Sequence, residues 1–373
     1  MKWSRRIAWF FVSFLFVSAL AVPPILAQAP FVPRHLGPAL AAQARYTKNL
    51  LRIEGVAGTA VGLGENGAPV VKIYTEREGV GGLPQALDGV SVVVQVTGKI
   101  HPIKPPPGKG GGHGGGVDPK AEFPPPVPLG VSSGNDQVEI VGLFITCSSG
   151  TLGARLKSNG VNYYILSNNH VYARTNSSGS TDKIVQPGLA DTGCSSSGNI
   201  IGDNIRYIPI KLIEDDPNST NVVDVAVAST STTQVGDQFW DTDHTIPGQN
   251  AYALTADDIG SLGVRKFGAT SGLTVGRVTG WNATFLISYG TNETAQFTHQ
   301  IEFSGCKGGC IKGGDSGSVL IRSDDSRPVG LLFAGDNSGK TAWANPMTDP
   351  ETGINGVLSE LNALLRSSSL TFE

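Results

Sequence analysis

From Gly130 onward the chain is written in short apolar runs broken by turn residues: VEIVGLFITC, GTLGARLK, NYYILSNNHV, DKIVQPG, DVAVAST, GVRKFGA, GLTVGRVTGW, ATFLISYG, HQIEFSG, GSVLIRS and PVGLLFAGD. Runs of that length, rich in β-branched residues and spaced by about ten positions, predict an all-β sandwich or barrel. One late segment breaks the rule. Ile354 to Leu365 places Leu358, Leu361, Leu364 and Leu365 on one face of a helix. Ahead of this region the pattern differs. Pro38 to about Ile53 carries Leu40, Ala44, Leu50, Leu51 and Ile53 at helical spacing. VAGTAVGLGENGAPVVKIYTE reads as two strands around a turn at Asn66-Gly67, and Val90 to Val96 supplies a third. The expectation is a small α+β module over residues 31–100 and a mainly β domain over 130–373.

Between them lies HPIKPPPGKGGGHGGGVDPKAEFPPPVPL, residues 101–129, where proline blocks flank a glycine block. Such a composition reads as a linker that packs no core. His101 and His113 fall in it and are read as linker residues rather than as metal ligands.

Composition adds a compartment. The first 27 residues join a basic start (Lys2, Arg5, Arg6) to an apolar stretch that ends in small residues. That is a signal-peptide pattern with Ile25-Leu26-Ala27 as its cleavage site. A single membrane anchor is the rival reading, and Pro23-Pro24 argues against it by breaking the helix where a cleavage region is extended. Three of the 28 basic residues leave with the leader, so 25 basic stand against 31 acidic residues, a formal −6. A mildly acidic exported protein has no electrostatic pull toward nucleic acid or anionic lipid. A secreted or periplasmic location follows, with no membrane partner once the signal is removed.

Export favours disulfides, and the four cysteines permit three pairings. Chain-local pairing gives Cys147 with Cys194 and Cys306 with Cys310. The first closes a long loop, worth roughly 4 kcal/mol on the loop-entropy model. Zinc at C-x-x-x-C lacks a nearby histidine. Neither a metal nor a cofactor is expected.

The chemistry centres on Lys312 to Leu320, KGGDSGSVL, which seats a serine among glycines behind an aspartate. A serine nucleophile needs a base, an acid that orients the base, and donors for the oxyanion. His170 ends the apolar run YYILSNNHV where it turns polar, and is the candidate base. Asp224 opens DVAVAST and is the candidate orienting acid; Asp203, Asp215 and Asp216 sit in more solvated contexts. His35, His244 and His299 are weaker bases by the same test. The bland readings are a strand-end histidine, a strand-start cap and a surface turn.

The order His170, Asp224, Ser316, with NNHV, DVAVA, GDSGS and PVGLLFAG, resembles the chymotrypsin/trypsin-like serine peptidases over roughly residues 130–365. GTLGA, ILSNNHV, VQPG and KFGATSGLTVGRV are similar to a bacterial branch of that family. The resemblance implies two six-stranded-type β-barrels with a C-terminal helix, a His170-Asp224-Ser316 triad and oxyanion donors at Gly314 and Ser316. It also implies a substrate cleft at Cys310, Phe333, Ala334 and Gly335, lacking a pocket carboxylate. Asp315 would turn inward to hold the nucleophile loop. The chain departs from the family in having no IVGG-like start near Gly130, no cysteine directly after His170, and Ser318 where glycine is usual.

The resulting expectation is an exported serine endopeptidase acting on a peptide or protein substrate, its N-terminal module a candidate prosegment or a plain accessory domain. A binding protein that keeps the fold without catalysis is the second reading. Asn176, Asn218, Asn282 and Asn292 lie in N-x-[ST] sequences and would matter only in a eukaryotic host.

Overall fold

The computed structural model describes residues 35–102, 117–141, 144–195, 198–241, 250–348 and 356–373. The signal-peptide segment, His113 and His244 lie outside the described residues.

The N-terminal helix Gly37–Leu50 carries Pro38 in its first turn, where a missing N–H costs nothing. Its inward face is Ala39, Ala42, Gln43 and Leu50, whereas Ala44, expected on that face, is exposed. The helix covers a sheet made by β1 (Val56–Leu63), β2 (Pro69–Thr75), β3 (Ala86–Leu87) and β4 (Val90–Val96). β1 and β2 form the expected hairpin, with Val61 opposite Val71 and Asn66 Oδ1 accepting the Ala68 N–H in the turn. β4 runs parallel to β2, Val71 opposite Val92. Ala42, Leu50, Val56, Val71, Ile73 and Leu87 close a small core.

That sheet does not stop at β1. Its free edge pairs antiparallel with the strand Gly272–Gly290, Gly58 opposite Phe285 and Val61 opposite Trp281. Six antiparallel strands lie beyond it in the order Gly272–Gly290, Glu293–Ser304, Ala342–Pro346, Pro328–Gly335, Val319–Arg322 and Gly263–Gly268. The last returns to pair with the first, Phe267 opposite Leu273, so the sheet closes into a barrel. Val264, Val278, Phe303, Leu320 and Leu332 fill it.

The other barrel runs Gly150–Thr151, Ser132–Asn135, Ile184–Gln186, Asn199–Tyr207, Ala226–Thr230, Asn162–Ser167 and Ala154–Ser158. Its two ends are neighbours in the chain, separated by Leu152 and Gly153 alone, and the Gly153 N–H reaches Leu166 O at 2.9 Å. That sheet too curls shut. The C-terminal strand Leu370–Phe372 adds to its edge, and the helix Val357–Leu365 buries Val357 and Leu361 against its core. The architecture is therefore two β-barrels with a C-terminal helix, the chymotrypsin-like fold.

Two expectations need correction. GLTVGRVTGW and ATFLISYG are one 19-residue strand, because bulges between Val278 and Phe285, with Asn282 at φ +54°, carry it past the barrel instead of ending it. The described ends of the proline tract, residues 101–102 and 117–129, pack against the barrels, contrary to the expectation of a linker that packs no core. Val127 and Leu129 are fully buried, Val127–Leu129 pairs with Val235–Phe239, and Gln186 bonds to Phe123 N and Ala121 O. At its other end, β5 (His101–Pro102) joins the strand Pro328–Gly335.

One buried polar contact fastens the module to the second barrel. Lys72 on β2 donates to Glu302 Oε1 at 2.5 Å and Oε2 at 2.7 Å, and the Tyr74 hydroxyl and Thr279 Oγ1 donate to the same carboxylate.

Candidate active site

The strand Asn162–Ser167 ends at Asn168, whose extended backbone (φ −80°, ψ 156°) opens the single helical turn Asn169–Tyr172. His170 stands in that turn. Asn168 Nδ2 donates to the Asp224 carbonyl at 2.8 Å, holding the histidine turn against the residues that lead into the strand Ala226–Thr230.

Asp224 grips His170 twice. Its Oδ1 accepts the His170 backbone N–H at 3.1 Å, and its Oδ2 lies 2.6 Å from Nδ1. A carboxylate on Nδ1 fixes the tautomer with the proton there and leaves Nε2 as the basic lone pair. The Asp224 N–H donates to Asn345 Oδ1 at 3.0 Å; Asn345 Nδ2 donates to Gln300 Oε1, and Gln300 Nε2 to Val222 O. Asp224 is fully buried, so this frame replaces the water that a charged carboxylate loses. A further donor comes from the long strand: the Tyr289 hydroxyl lies 2.8 Å from Asp224 Oδ2.

Ser316 is buried in the turn that leads into the strand Val319–Arg322 of the second barrel. It sits between Gly314 (φ +98°) and Gly317 (φ +94°), both in the region that only glycine occupies readily. Its carbonyl accepts the Thr151 N–H at 2.7 Å, and Thr151 Oγ1 donates to Gly314 O at 2.8 Å. A Cβ on Gly317 would fall 2.1 Å from Ser167 Oγ and 2.5 Å from Thr151 O. A Cβ on Gly150 would meet both Val171 and the Ser316 carbonyl. The serine turn is thus pressed onto the end of the histidine strand. Among the described residues His170 Nε2 is buried and has no hydrogen-bond partner.

The loop is held from inside by Asp315. Its Oδ1 accepts the Thr270 and Ser271 N–H groups at 3.0 and 2.9 Å; its Oδ2 accepts Ser271 Oγ at 2.6 Å and the Lys312 N–H at 2.8 Å. Lys266 Nζ stands 3.1 Å from the same oxygen. Burial works against ionising this carboxyl, but the Lys266 charge and the Ser271 and Lys312 donors hold its pKa below the usual value. Burial pulls Lys266 down, with Asp315 pulling back. Ser318 Oγ turns onto the Asp315 carbonyl at 2.5 Å, so the extra side chain fits inside the loop.

Phe333, Ala334 and Gly335 lie on the strand Pro328–Gly335, all buried, with Gly335 opposite His101 and Ala334 opposite Pro102. Ile100 is 3 % exposed among Tyr289, Phe297, Phe333, Ala334 and Trp343. Cys310 is fully buried in the second-barrel core, bonded to Cys306; the other disulfide joins Cys147 and Cys194, as chain-local pairing predicts. Of the remaining histidines, His35 is exposed and His299 bonds to Thr298 Oγ1.

Sequence reasoning missed Tyr289, Asn345 and Lys266. A lysine inside the apolar strand GVRKFG was a usable signal, since a buried ammonium requires a partner. Nothing local marked Tyr289.

Two closed barrels, with His170 and Asp224 carried by one and Ser316 by the other, have the chymotrypsin-like fold. Solved structures of that kind are similar to this chain. Thermobifida fusca Protease A shares 16% identity over 66% of this chain and 97% of its own, with a TM-score of 0.38. Nocardiopsis protease NAPase shares 14% over 66% and 98%, TM-score 0.39. Cellulomonas bogoriensis chymotrypsin shares 15% over 60% and 92%, TM-score 0.35. No protein-family model matches, and no curated protein does. The likeness is one of fold, and the roles of individual residues rest on the geometry above.

Proposed function

We propose that the protein is an exported serine endopeptidase. The observation that carries this reading is the double grip of Asp224 on His170, which orients the imidazole and reserves Nε2 for proton transfer. In the reaction, Ser316 Oγ attacks the scissile carbonyl while its proton passes to His170 Nε2. The tetrahedral oxyanion is met by the Gly314 and Ser316 N–H groups. Imidazolium then protonates the leaving amine, and water repeats the cycle on the acyl-enzyme, returning the proton to Ser316. The lack of a carboxylate among Cys310, Phe333, Ala334 and Gly335 gives no basis for selecting Arg or Lys.

The N-terminal module is a prosegment that closes the cleft. β5 adds to the free edge of the strand Pro328–Gly335 as an extended peptide ligand does. Ile100 fills the apolar site beside it.

The test is labelling with a fluorophosphonate, mapped by mass spectrometry, on the full chain and after cleavage within residues 103–116. Label on Ser316 only after cleavage supports both parts. Equal label in both forms removes the blocking role. Absence of label in either folded form sinks the peptidase reading and favours a binding protein.

A further inference from the structure

Asp224 Oδ2 serves two donors, and only one of them belongs to the first barrel. Nδ1 of His170 lies 2.6 Å away; the Tyr289 hydroxyl lies 2.8 Å away. Tyr289 is the penultimate residue of the strand Gly272–Gly290, which reaches the first barrel only because bulges prolong it beyond the second. Its ring stands 5.9 Å from the imidazole, tilted by 50°, and 6.3 Å from Phe297.

The hairpin end is lashed to the segment that leads into Asp224. The Ile213 N–H donates to Thr294 O at 2.8 Å, the Asn221 N–H to Gln296 O at 2.9 Å, and the Thr298 N–H to Asn221 O at 2.9 Å. These bonds fix where Tyr289 points. The rest of the surrounding cluster is apolar: Phe285, Ile287, Ala295, Phe297 and Phe333. A phenylalanine would fill that environment without a hydroxyl to satisfy, so the phenol is conspicuous. Burial, reinforced by the Asp224 charge and hydrogen bond, pushes the Tyr289 pKa well up, so the hydroxyl stays a donor at neutral pH.

We infer that Tyr289 is a positioning residue of the active site, its hydroxyl fixing the Asp224 carboxylate so that His170 is held with Nε2 toward Ser316. The inference rests on the peptidase reading for its consequence, but not for its geometry. A donor in a set direction on Oδ2 limits rotation of the carboxylate about χ2, and the direction of Nδ1–H follows it. The same strand is the one that β1 pairs with, so the module, the hairpin and the acid of the site form one continuous structure.

The decisive variant is Tyr289→Phe in the full chain, which keeps the ring contacts and removes only the hydroxyl. Its first readout is the downfield proton resonance of His170 Nδ1–H, assigned by its loss in His170→Gln. The resonance is expected to move or broaden in Tyr289→Phe and to change less in Phe297→Leu, which alters the packing beside the Tyr289 ring but keeps its hydroxyl. The second readout is fluorophosphonate inactivation, in whichever form of the protein labels Ser316. The maximal rate is expected to fall about tenfold with the concentration dependence unchanged. An unmoved resonance in Tyr289→Phe overturns the inference, as does an equal shift in Phe297→Leu. If Tyr289→Phe fails to fold, 3-fluorotyrosine at position 289 keeps the hydroxyl and changes its donor strength; an unmoved resonance there is equally fatal. The resonance is read whether or not Ser316 reacts, so unlabelled wild-type protein counts against the peptidase reading and leaves this test intact.

Discussion

Lys266 and Asp315 meet at 3.1 Å with neither side chain exposed to solvent. An internal ammonium therefore holds the loop that carries Ser316, and no new chain terminus is needed to do so. Lys266→Met leaves a buried carboxylate unpaired and is expected to cost about 3–5 kcal/mol. Pairing it with Asp315→Asn should recover a large part of that loss. Urea denaturation of both single variants and the double variant measures the coupling; additive losses would show that the pair does not interact.

Gly317→Ala is expected to be worse than an ordinary glycine substitution. The backbone sits at φ +94°, and the added carbon would lie 2.1 Å from Ser167 Oγ. Strain of about 1–3 kcal/mol comes from the backbone alone. The collision also pushes the Ser316 turn off the first barrel. Fluorophosphonate labelling should fall further than thermal stability does, and a variant that labels normally would contradict the packing described.

Acid should loosen the docking of the module. Burial opposes the charge on Glu302, yet the Lys72 ammonium and the Lys72, Thr279 and Tyr74 hydrogen bonds hold its pKa below the ordinary value. A carboxylate depressed in the folded state stabilises fully above its unfolded value of about 4.3, and that contribution is lost as pH falls through the lower folded value. Hydrogen exchange of β1 and β2, followed down the pH scale, should report that opening. Glu302→Gln should weaken docking at neutral pH and flatten the acid dependence.

Alkali acts on other groups. Burial raises the pKa of Tyr74, Tyr172 and Tyr289; Glu302 adds to the effect for Tyr74 and Asp224 for Tyr289. For an acid raised in the folded state, stability is intact below the unfolded value of about 10 and falls as pH rises beyond it. Ultraviolet titration should show these three phenols ionising only together with unfolding.

Ile100→Ala empties an apolar site beside the cleft strand and is expected to cost about 2–5 kcal/mol of module docking. The full chain should then label at Ser316 faster than wild type. Unchanged labelling with weakened docking would count against the proposed blocking role.

The barrels were legible because their strands are short, antiparallel and locally patterned. The serine turn was legible because Gly314 and Gly317 are needed for their backbone conformations. What stayed hidden depends on residues far apart in the chain. The pairing of Gly58 with Phe285 leaves no trace in either strand's own alternation. His101 and Pro102 sit in a tract whose composition argues against structure, and only the free edge at Ala334 and Gly335 gives them a place. Tyr289 looks like one more aromatic in ATFLISYG until bulges extend the strand to Asp224.

The join between β1 and the long hairpin also bears on what a cut within residues 103–116 would do. Severing the chain there breaks covalent continuity and leaves the eleven-stranded sheet whole. The module would then be a separate polypeptide held by backbone pairing, the Lys72–Glu302 contact and the seat of Ile100. Tethered, it faces the cleft at a high effective concentration; untethered, its grip becomes a bimolecular equilibrium. Activity per molecule in a cut sample would then rise on dilution, and added module peptide would suppress it again.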